Sequence, residues 1–70
     1  MTSEALKSLI VEQICLISYE TGLLLGISGT NVGKCKKNEP PKFHLSTLLR
    51  LQKEFGITDK EINERANSNR

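Results

Sequence analysis

Seventy residues with a formal net charge of +2 make one domain at most, and no repeat, linker or second domain is visible. A chain this short buries only about 60 % of its unfolded surface, and with no Trp, one Tyr and two Phe its core is expected to be aliphatic. The apolar run ICLISYETGLLLGI is broken by Ser18, Tyr19, Glu20 and Thr21, and no basic region precedes it, so neither a leader nor a membrane partner is expected.

Ser3 is a candidate cap for a first helix. Ala5, Leu6, Leu9, Ile10, Ile14 and Ile17 follow at helical spacing, and the helix is expected to end near Cys15 to Ile17. Ser18 is a second cap candidate, opening a short helix over 19–25 that Gly26 stops. Ser28 then caps a third helix running to about Lys36, whose inner face is Val32 and Cys35.

Asn38-Glu39-Pro40-Pro41 is a break, because two prolines cannot sit inside a helix. Leu45, Leu48, Leu49, Gln52 and Phe55 restore the helical period, and Gly56 ends this fourth helix with Ile57 packing back over it. Thr58-Asp59-Lys60-Glu61 is a capping-box pattern that opens a fifth helix through Ile62 to Arg65 or Ala66. Cys15 and Cys35 are too few for a disulfide scaffold. They are expected as reduced, buried thiols of a cytoplasmic protein, with a single bridge as the alternative.

Four of the five glycines fall between residues 22 and 33. Two short helices joined by a Gly-containing turn need a small residue at their crossing and a residue tolerant of positive φ in the turn. Counted from Ser18, the fifth position is Gly22, the ninth is Gly26, the tenth Ile27, the fifteenth Val32 and the eighteenth Cys35. This pattern resembles the helix-turn-helix of the phage lambda repressor and Cro family, the XRE-type regulators. The stretch PKFHLSTLLRLQKEFGITDKEI is similar to the helices that follow the motif in that family. The resemblance implies an all-α, five-helix lambda-repressor-like DNA-binding domain over residues 1–70, with its ordered core at about 3–66 and the motif at 18–37.

The family resemblance also implies a site. The helix from Ser28 would lie in the major groove, with Ser28, Thr30, Asn31 and Lys34 toward the bases. Asn can pair with adenine, Lys can donate to guanine, and a Thr methyl can touch a thymine methyl. Asn31 has a competing local use in the first turn of its own helix. Ser18 and Tyr19, at the start of the preceding helix, would meet a phosphate, although Tyr19 replaces the Gln or Thr common there. Residues 28–44 carry Lys34, Lys36, Lys37 and Lys42 against Glu39 alone, and Lys36, Lys37 and Lys42 are the candidate phosphate neutralisers. Gly29 and Gly33 depart from the family, because they remove side chains from the reading face.

The expected function is therefore a small phage or prophage transcriptional regulator, a Cro-like repressor acting as a homodimer on operator DNA. An antirepressor or modulator that binds a partner repressor on the same fold is the alternative, and an antitoxin-like DNA-binding partner is a third reading. Helix five, with Ile57 and Ile62, and the outer side of helix four are the candidate dimer surfaces. His44 is the lone His and the glycines lack phosphate-loop order, so no enzyme, metal or cofactor is expected.

Overall fold

A computed structural model describes residues 3–68. Among these residues the chain is all helix and loop. Helix α1 spans Ser3–Thr21 and α2 spans Gly29–Val32, continued by a 3-10 turn over Gly33–Cys35. Helix α3 spans Leu45–Glu54 and α4 spans Asp59–Ser68. None of them is long and apolar enough to cross a membrane.

The core forms where α1 packs against α3 and α4. Ile10, Ile14, Leu48, Ile62 and Ala66 are completely buried there, with Val11, Ile17, Ile27 and Ile57 nearly so. Phe43 and Phe55 only flank this cluster, so the core is aliphatic, as the composition requires.

Helix α1 is one element where a helix end and a new start were expected. Ser18 does not cap anything. It is fully buried, and its hydroxyl donates to the Ile14 carbonyl at 2.7 Å. Thr21 donates likewise to the Ile17 carbonyl at 2.8 Å. Ser and Thr satisfied by the carbonyl four residues back remain inside a helix. The helix stops at Gly22, whose φ is +77° and whose N–H returns to the Ser18 carbonyl at 2.9 Å. That is a left-handed cap, which favours glycine. The expected helix over 19–25 is therefore not formed, and helices α1, α2, α3 and α4 stand in place of five. Gly22 is also not at a tight crossing, since a Cβ there would meet nothing within 4 Å.

The cysteines correct a second expectation. Cys15 on the inner face of α1 and Cys35 at the end of the 3-10 turn form a disulfide, with Cα atoms 5.5 Å apart. That separation lies in the normal range for the bond. Both had been assigned to apolar positions, and both are buried, at 3 % and 0 % exposure. Shared burial is what brings them together.

The C-terminal half follows its local signals. Gly56 donates to the Lys53 carbonyl and Ile57 to the Gln52 carbonyl at 3.0 Å, the paired bonds of a Schellman ending. Ile57 is thereby turned into the core. Thr58 Oγ1 accepts from the Glu61 N–H at 3.3 Å, opening α4 as expected. Ile57 and Ile62 are consequently core residues, at 5 % and 0 % exposure, and cannot form a dimer surface.

Candidate nucleic-acid interface

The candidate reading segment begins at Gly26. Its φ of +80° is a left-handed conformation, and a Cβ there would run into the Asp59 carboxylate, with Cγ only 3.0 Å away. The conformation favours glycine, and a side chain here would in addition have to displace the Asp59 carboxylate. Gly26 has the positive φ expected of a turn, but no helix runs into it for it to stop, and its neighbour is the start of α4. Ile27 follows as a buried anchor, and Ser28 in extended backbone caps α2, its hydroxyl accepting from the Asn31 N–H.

Asn63 on α4 organises this start. Its Oδ1 accepts from the Ser28 N–H at 2.9 Å and from Asn31 Nδ2 at 2.8 Å. Its Nδ2 donates to the carbonyls of Gly26 at 3.1 Å and Asp59 at 2.7 Å. All four bonds an amide side chain can make are in use. One turn along α4, Asn67 Oδ1 accepts from Lys34 Nζ at 2.7 Å. Behind the segment, the Cys15–Cys35 disulfide ties the 3-10 turn to α1.

The expected base-reading residues divide accordingly. Thr30 is exposed, and Ser28 is exposed with its hydroxyl used as the cap. Asn31 and Lys34 are half-buried, and both side chains are directed to α4. The local use expected for the Asn31 side chain is not the one observed: it bonds Asn63, 32 residues away, rather than a group of its own turn. Gly29 and Gly33 are exposed, and a Cβ at either would meet nothing within 4 Å, so neither glycine is required by packing.

The phosphate set changes more. Ser18 is buried inside α1 with its N–H in mid-helix, so no free helix start exists there and it leaves the list. Tyr19 is 40 % exposed on the last turn of α1. Lys36 and Lys42 are exposed, and Lys42 is fixed at the backbone, where its N–H donates to Gln13 Oε1 at 2.7 Å. Lys37 pairs with Glu12 on α1. That hydrogen bond holds the Glu12 carboxyl below its ordinary range, against a smaller opposing effect of burial, with Lys37, Arg65 and Lys42 adding charge.

Sequence reading missed Asn63 and Asn67, which stand four apart on α4 and so share a face. That spacing was a visible signal, but nothing in it tells which segment the face meets. The expected helix over 19–25 would bury Leu24 and Leu25; without it only Leu25 packs against the core, while Leu23 and Leu24 lie between the two left-handed glycines at 47 % and 62 % exposure. A separate open groove between α1 and α4 is lined by Glu4, Lys7, Val11, Glu61 and Arg65, with Lys7 and Glu61 paired across it at 3.1 Å. It carries two carboxylates against two cations, so it offers no preference for an anion or a cation. Compared with known protein families, curated proteins and solved structures, the chain finds no match.

Proposed function

We propose that this chain is a small DNA-binding regulator of the phage repressor type, meeting duplex DNA through residues 28–42. One observation carries the reading. The short helix over Gly29–Cys35 is held from behind by α1 and α4, and its other side is left to solvent. That open side presents Thr30, flanked by the smooth backbone of Gly29 and Gly33, with Lys36, Lys37 and Lys42 following on the chain. A rigid, narrow, cationic element of this kind suits a groove lined with phosphates. With few side chains toward the bases, most of the affinity comes from charge and close backbone approach, and Thr30 supplies a contact to a thymine methyl. Two copies on neighbouring half-sites would multiply that modest selectivity.

A second reading has its own observation. Leu23 and Leu24 form an exposed apolar tip beside the reading segment, which suits a protein partner such as a repressor that this chain modulates.

The test is a titration against random duplex and against a fragment flanking the chain's own gene, at two salt concentrations. The DNA reading predicts binding that weakens steeply with salt, with Lys36→Ala lowering the log–log slope by slightly less than one. Failure to bind either DNA at low salt rejects it and leaves the protein-partner reading, which Leu24→Ser would then impair.

A further inference from the structure

We propose that Asn63 is the positioning residue of the reading segment, and that Asn31 is its partner rather than a base reader. The inference rests on the DNA reading above. A segment of seven helical residues cannot hold its own orientation, because so short a helix is marginal in water. Its far end is tied by Cys35. Its near end has no comparable covalent tie, and Ile27 is its buried apolar anchor. The Asn63 carboxamide supplies the rest. It joins the turn carbonyl of Gly26, the N–H of Ser28 and the side chain of Asn31 to the backbone of α4 at Asp59.

Each of these bonds fixes a different degree of freedom. The bond to Gly26 holds the entry of the chain, and the bond to Ser28 holds the cap residue. The bond to Asn31 sets the rotation of the helix about its own axis. Thr30 and Gly29 both face solvent in the orientation so held, and Asn63 thereby governs how Thr30 is presented to a base without touching DNA itself. With one Nδ2 hydrogen held by Asn63 at 2.8 Å, the half-buried Asn31 carboxamide is turned to α4, and presenting its second hydrogen and its Oδ1 to an adenine would require this contact to open.

The experiment compares wild type, Asn63→Ala and Asn67→Ala, the last removing only the Lys34 contact one turn away. Affinities for the flanking fragment and for random duplex are measured with their salt slopes. Asn63→Ala is expected to lower the specific-over-random ratio on the order of tenfold, the scale of a lost hydrogen-bond set. Its salt slope and random-duplex affinity should stay within about twofold of wild type, since the lysines are untouched. Asn67→Ala should keep the ratio. An unchanged ratio in a folded Asn63→Ala overturns the inference while the DNA reading stands. Wild type that does not select its flanking fragment overturns both. Hydrogen exchange of the wild-type Ser28 amide gives a check that does not depend on the variant folding or on DNA. Protection of this exposed residue supports the role, and exchange at the free-peptide rate overturns it.

Discussion

Two helices of this protein end on a left-handed glycine, α1 at Gly22 and α3 at Gly56, yet the chain after each behaves differently. After Gly56 the next residue is Ile57, which is nearly buried and bonds back to Gln52. After Gly22 come Leu23 and Leu24, which are exposed; Leu25 then packs against the edge of the core, and Ile27 is the first residue after the cap to be buried in it. The cap stops a helix in both places. Whether the next segment is fixed depends on what anchors it. Residues 43–67 are held by apolar packing through Leu48, Ile57, Ile62 and Ala66. Residues 22–42 have Leu25, Ile27, Val32 and Cys35 in or against the core, and are held otherwise by the disulfide, the Lys37–Glu12 pair and the side-chain amides of Asn63, Asn67 and Gln13.

The sharpest way to break the apolar half is Leu48→Ala. Leu48 is completely buried, so the loss should be about 2–5 kcal/mol with collapse of the whole transition in urea unfolding. The polar half is broken by removing the disulfide. Its sequence separation of 20 residues corresponds to about 3 kcal/mol of unfolded-state restraint. The bond is absent under reducing conditions, so the measurement belongs in both redox states, with Cys35→Ser as the control. Hydrogen exchange should show the loss concentrated in residues 28–36, and a uniform loss would remove the distinction between the halves.

Next in size are the glycines themselves. Gly22→Ala and Gly26→Ala share a left-handed φ, which costs an L-residue roughly 1–2 kcal/mol. Gly26→Ala also pushes against Asp59, so its unfolding midpoint should fall further than that of Gly22→Ala. Equal losses would mean that Asp59 simply swings aside.

Acidification acts at the same seam. Glu12 is held below its ordinary range by Lys37. A carboxylate with a lowered folded pKa contributes stability above its unfolded value and loses it as pH falls through the folded one. The pair is part-exposed, so the effect is small. It should disappear in Glu12→Gln, seen as a flatter stability curve on the acid side. Smallest of all, Leu23→Ser with Leu24→Ser should leave stability within about 0.5 kcal/mol, because both side chains are exposed and lie outside the core.

The sequence made one half far more legible than the other. Gly56, Ile57, Thr58 and Glu61 carry their signals within a few residues of where they act, and the expected helix ending and capping pattern are both observed. Gly26 as a turn and Ser28 as a cap were legible for the same reason. Ser18 was not, because serine serves equally as a cap or as a donor to the carbonyl four residues back. Tertiary burial decides between them, and no local pattern reveals it. The disulfide and the Asn31–Asn63 pair join residues 20 and 32 apart, so they depend on which helix faces meet. The candidate lysines were identified directly from charge, whereas the partners of Lys34 and Lys37 were not.

The DNA reading proposed above makes the solvent-facing side of residues 28–42 the surface that meets the duplex. It is tested most directly by mapping amide chemical shifts during titration with a duplex from the flanking region. The account predicts changes concentrated at Ser28 to Gly33 and at Lys36, Lys37 and Lys42, weakening as salt rises. Changes centred instead on Leu23 and Leu24, or none at low salt, would contradict it.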